Sequence, residues 1–171
     1  MLNEYRDAAW PAQVRGWAHM LGAIIDADME VRRRDGAAAV VLFEEAGDRW
    51  MAYFARVNTG HVEERMGDYA KALGFYSEAA EIVAGVRSEG PDNIDLKLRD
   101  ANLRMDLGDA CNGLGRAADS YEHYQAALGL YRALHSALND DGMLRSQVRP
   151  LSKLAEIQHG RKDYAGAIVH L

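Results

Sequence analysis

One cysteine, three prolines and three phenylalanines are spread over 171 residues. Each scarcity excludes something. Cys111 alone can form neither an internal disulfide nor a multi-thiolate metal site, and among small residues in a helix it reads as a buried thiol rather than a nucleophile. So little proline leaves long stretches free to be helical. No apolar run approaches the length that spans a bilayer, and Met1 to Trp10 carry Glu4, Arg6 and Asp7 in place of an apolar signal core. Sustained period-two alternation is missing, so no sheet is expected. So are a Gly-rich phosphate loop, a His-Glu-x-x-His pair and a spaced ligand cluster, which leaves no candidate catalytic residue, cofactor or metal site. The expectation is a protein that is not an enzyme.

What is present suits a folded helical protein. Hydrophobic residues make up 49% and charged residues 27% of a chain long enough for one domain with a sizeable core. The formal net charge of −6 argues against a nucleic-acid backbone or an anionic membrane as partner. Arg32, Arg33 and Arg34 read as a solvated helix end. A soluble, cytoplasmic protein follows. The excess of arginine over lysine, with abundant Ala, Gly and Asp, points to a GC-rich bacterial genome.

The chain reads as about eight helices. The first starts at Pro11, carries Val14, Trp17, Leu21, Ile24, Ile25 and Met29 as one stripe, and ends near Arg33 before a turn at Asp35-Gly36. A second runs from about Ala37 to Ala46. Asp48 caps a third that stops near Met66-Gly67, and Asp68 caps a fourth. Ser88 to Asn93 forms a break before a fifth helix with Leu96, Leu103 and Leu107 and a sixth with Tyr121, Tyr124, Leu128 and Tyr131. Asn139 to Gly142 forms the next break. A seventh helix has Pro150 early in it, and an eighth begins near Asp163.

Three stretches share a template. Gly60, Gly67, Tyr69, Ala72, Tyr76 and Ala79 are matched by Gly108, Gly115, Ala117, Ser120, Tyr124 and Ala127, and again by Ala155, Tyr164 and Ala167. A weaker first copy has Ala27, Ala39, Phe43 and Ala46. Small residues at fixed offsets let two helices approach closely, so the template is a repeated helical hairpin. Ser120, where Ala is usual, can return its hydroxyl to a carbonyl one turn back. Ala72 to Ser120 spans 48 positions and Ser120 to Ala167 spans 47, whereas Ala39 to Ala72 spans 33.

This pattern resembles the tetratricopeptide repeat, whose usual period is about 34 residues. The longer spacing looks like the long-helix bacterial variety and is similar to the kinesin light-chain type. The resemblance implies an all-α, right-handed superhelix of stacked antiparallel helix pairs, a single repeat domain over residues 1–171 with repeats at about 20–47, 48–89, 92–138 and 141–171. It also implies a scaffold that binds a peptide or partner domain in its concave groove. The family's groove positions fall on Asp28 and Arg32, then on Asn58, His61 and Arg65. They continue with Asn102, Asp106, Asp109 and Asn112, and end with Arg149, Lys153, Glu156 and His159. Arg149 with Lys153 could hold a carboxylate, but Asp106 stands where a chaperone-tail clamp needs asparagine. The last hairpin lacks a full capping layer at Leu171, so the chain either continues or pairs with a second copy through that C-terminal edge. Two other functions stay open: a peptide-sensing regulatory or signalling domain, and an accessory domain of a larger transcription regulator or enzyme.

Overall fold

The computed structural model describes residues 2–6, 9–89 and 93–160. The described residues are helical with no strand among them: a 3₁₀ turn at Leu2–Arg6, then α1 (Ala12–Ile25), α2 (Met29–Glu45), α3 (Arg49–Arg65), α4 (Tyr69–Glu89), α5 (Ile94–Gly113), α6 (Ala117–Leu138), α7 (Asp141–Ser146) and α8 (Val148–Gly160). The eighth helix expected near Asp163, with Tyr164 and Ala167, lies outside the described residues. The chain divides into two compact units, Met1–Ala84 and Gly85–Leu171, and α4 runs across the division.

Local chemistry fixes the helix ends. Gly47, Gly67 and Gly115 each take a left-handed backbone, with φ of 68°, 80° and 72°. Each closes the preceding helix while the next residue's N–H reaches back: Asp48 to Phe43, Asp68 to Glu63, Arg116 to Cys111, all at 2.9 Å. Asp48, Asp68 and Asn93 then accept from the backbone N–H of Met51, Lys71 and Leu96. One Gly-then-cap turn thus joins α2 to α3 and α3 to α4.

The first break is not at Asp35-Gly36. It is at residues 26–28, where the Asp26 carboxylate accepts from the Asp28 N–H and Asp28 caps α2 by accepting from Glu30 N at 2.8 Å. The turn closed by the Asp26 carboxylate and the Asp28 cap outweigh an Asp-Gly pair whose glycine serves packing instead. A Cβ on Gly36 would lie 2.6 Å from Thr59 Oγ1, so this glycine lets α2 and α3 meet. The arginine run therefore sits inside α2. Arg33 bridges to Glu63 at 2.9 Å and reaches Asp68, and Arg32 donates to the Ala23 carbonyl at 2.7 Å. The expected seventh helix is also split at Gln147, and Pro150 occupies the first turn of α8, where its missing donor is harmless.

In the first unit α2 packs on α1 and α3. Ala39, Val40, Phe43, Ala52 and Ala55 form its core, with Phe75 and Ile82 of α4 packed against them. In the second, α5 and α6 form the main pair and α8 packs on α6, around Ala101, Met105, Tyr124, Ala127, Leu128, Tyr131 and Leu154. The shared template has one structural cause in both. Tyr76 and Tyr124 are fully buried, each with its ring laid over a glycine of the preceding helix. Their hydroxyls donate to Glu64 at 2.9 Å and Asp109 at 2.6 Å. Ala72, Ala79, Ser120 and Ala127 are fully buried beside them. Ser120 departs from expectation, because its hydroxyl crosses to the Gly108 carbonyl at 2.9 Å rather than bonding back along its own helix. Cys111 is buried, and burial pushes its thiol pKa up.

Candidate binding site

Asn58, His61 and Arg65 recur at three- and four-residue steps, so they share one face of α3. That face opens on a cleft of about 100 Å³ whose apolar wall is Ala23, Ile24 and Val62. Arg32 of α2 completes it. The Asn58 amide donates to the Phe54 carbonyl at 2.9 Å, which leaves its Oδ1 able to accept. His61 stacks edge-on against Tyr76 at 5.6 Å. Among the described residues neither Arg32 nor Arg65 has a carboxylate partner. Arg32 spends its Nε on Ala23 O and sets an Nη beside the Met29 sulfur at 4.0 Å, while Arg65 is exposed. Two cations, an amide and an imidazole over an apolar floor can hold an anionic group and the aliphatic stem that carries it.

Asp28, placed on the same surface by the family's positions, serves instead as the cap of α2. Arg32, which the family's positions put in the groove, does line this cleft, whereas Ile24 could have been added only by knowing that α1 ends at Ile25.

In the second unit the expected groove residues are largely engaged with one another. Asp109 accepts from both Tyr124 and Arg149, and Asn102 accepts from Tyr131 at 2.6 Å. Lys153 pairs with Glu156 at 3.2 Å. Burial pulls the Arg149 pKa down, but the Asp109 and Asp106 carboxylates outweigh it and the net shift is upward. Burial and the Asp109 hydrogen bond push the Tyr124 phenol well above its ordinary range. Burial likewise raises Tyr131. Arg149 and Lys153 are therefore not a vacant cationic pair, as the sequence suggested, and an incoming carboxylate would have to displace Asp109 or Glu156. Asn112, Lys153 and Glu156 do share a second cleft, of about 340 Å³, with Ala117, Tyr124 and Ile157. His159 is exposed at the end of α8.

No family model matches this sequence, and no curated protein matches it either. The fold has a counterpart among solved structures. The crystal structure of BtubC (BKLC) from P. vanneervenii superposes with a TM-score of 0.79 at 15% identity, covering 99% of this chain and 66% of that one. At that identity the likeness is one of fold. Among the described residues no group of His, Cys, Asp or Glu is placed to hold a metal ion, and no helix is long and apolar enough to cross a membrane.

Proposed function

We propose that this chain is a protein-interaction module of the tetratricopeptide kind, which takes an acidic side chain of a peptide or partner domain into the cleft of its first unit. The observation that carries the reading is that Arg32 and Arg65, neither paired with a carboxylate among the described residues, flank Asn58 and His61 over an apolar wall. A charge-assisted hydrogen bond there contributes about 1.5–3 kcal/mol. A chain of net charge −6 repels acidic partners at long range, so such a cleft selects by close geometry rather than by steering. The hairpin template with its Tyr-over-Gly contact supports the repeat reading, as does the all-helical order of elements.

Fluorescence anisotropy with an array of labelled Asp- and Glu-containing peptides tests this. A bound peptide should lose affinity by about tenfold or more in Arg65→Glu, with circular dichroism unchanged. Equal affinity in that variant, or no peptide of any charge bound, removes the assignment.

A further inference from the structure

An amphipathic surface helix normally turns its bulky apolar stripe inward. In α1 the arrangement is reversed. Its buried residues are Gly16, Ala18, Gly22 and Ala23, whereas Trp17 (43%), Leu21 (42%), Ile24 (44%) and Ile25 (65%) are exposed. Packing explains the reversal. A Cβ on Gly16 would stand 3.0 Å from the Phe43 ring, and one on Gly22 would fall within 2.2 Å of both Arg6 and Asp35. Small residues fill the closest approach of α1 to α2, with Met20 packed against the core and the Trp17 ring edge-on to Phe43 at 5.8 Å, while Leu21, Ile24, Ile25 and much of Trp17 lie outside. Of the twelve large hydrophobic residues exposed among those described, six lie between Tyr5 and Ile25.

We infer that the outer face of α1 is a self-association surface that joins two copies of this chain about a two-fold axis. Val14, Trp17, Leu21 and Ile24 follow one another at steps of three, four and three residues, the spacing by which two like helices interdigitate along a seam. A two-fold interface requires a patch complementary to itself, and an apolar seam of this kind is. Beside the seam, Gln13 and Ile25 are exposed and uncharged, while Ala18 is buried and Met20 packs on the chain's own core. Arg15 is turned toward Glu45 at 3.6 Å, and at the far end of the seam Ile24 also walls the cleft that holds Arg32 and Arg65, so the stretch without cations runs from Val14 to Leu21. The helix of 14 residues is about 21 Å long. Its exposed apolar side chains, with Trp10, offer on the order of 500 Å² per copy, or roughly 1,000 Å² across the pair, which is what a specific interface needs at the least.

Sedimentation equilibrium of the full chain over about 1–200 µM should show a monomer–dimer equilibrium, as a contact at the small end of the range gives. The double variant Leu21→Glu/Ile25→Glu puts two carboxylates into the seam of the pair and two beside it. It should weaken the dimer by about 100-fold or more and keep the far-ultraviolet spectrum of the parent, since both positions are already exposed. Val148→Glu, an exposed residue of α8 in the second unit, should leave the dimer intact. A parent chain monomeric throughout, a double variant that dimerises like the parent, or dissociation by Val148→Glu would each overturn the assignment. Leu21 and Ile25 do not line the anion cleft, so loss of the dimer with peptide binding retained separates this surface from that one.

Discussion

Replacing Gly108 with alanine should destabilise this protein, although alanine is the better helix former. A Cβ at Gly108 would stand 2.5 Å from Tyr124 Cε1 and 2.6 Å from Cδ1, closer than side-chain carbons approach. The ring has little room to withdraw, because Tyr124 is fully buried and its hydroxyl is held by Asp109. Forcing one methyl into such a contact costs about 1–3 kcal/mol. Removing the glycine returns about 0.5–1 kcal/mol of backbone entropy. The net loss is about 0–2.5 kcal/mol, a fall in melting temperature of up to roughly 10 °C for a chain of this size. Gly129 lies in α6 with nothing within 4 Å of its would-be Cβ, so Gly129→Ala should gain about 0.5–1 kcal/mol and melt higher. Differential scanning calorimetry on the pair measures opposite signs if the contact is what matters. In a Tyr124→Ala background, Gly108→Ala should turn from destabilising to stabilising, the signature of a coupled pair. If Gly108→Ala instead melts higher in the parent, as Gly129→Ala does, the ring yields and the account of the template as a glycine–tyrosine contact is wrong.

Gly115→Ala should cost about 1 kcal/mol by urea titration, all of it from the left-handed backbone at φ 72°, since no atom crowds the site; an unchanged midpoint would mean that the turn can relax. Asp35 is fully buried and engaged by Arg6 and by His19 at 3.1 Å, so Asp35→Ala should cost about 3–5 kcal/mol in the same titration, and a loss below 1 kcal/mol would show that water replaces the carboxylate. Burial, with the nearby Arg104, holds His123 below its ordinary pKa of 6.5. The unfolded chain then binds more protons than the folded one once the pH falls below about 6.5, so stability should drop between that value and the lower folded pKa. His123→Gln should flatten that slope, and an unaltered slope would assign it to other groups.

Much of the fold was legible because the decisive signals are local. Gly47, Gly67 and Gly115 supply a conformation that residues with side chains resist, and the Asp or Asn beside a helix start satisfies backbone donors within the same few residues. The error at Asp35-Gly36 shows the limit of such signals. The pair spells a turn, yet in the folded chain its aspartate is an internal ion partner and its glycine a packing gap. Both roles depend on residues well away in the sequence, Arg6 and Thr59.

The candidate site divides the same way. The resemblance to the tetratricopeptide repeat picked out Asn58, His61 and Arg65 without coordinates. Whether Arg149 is available was settled only when α5 and α8 came together, whereas the Lys153 pairing is local to one turn of α8. Asp109, 40 positions from Arg149, takes up that guanidinium, and Glu156 takes up Lys153. Sequence by itself determined where the backbone turns, which small residues permit close helices and which faces carry polar groups, since these follow from sterics and period. Tertiary structure decided that the bulky side of α1 faces outward and that Arg149 is already compensated by Asp109, since burial and long-range pairing depend on which distant residues arrive at the same place.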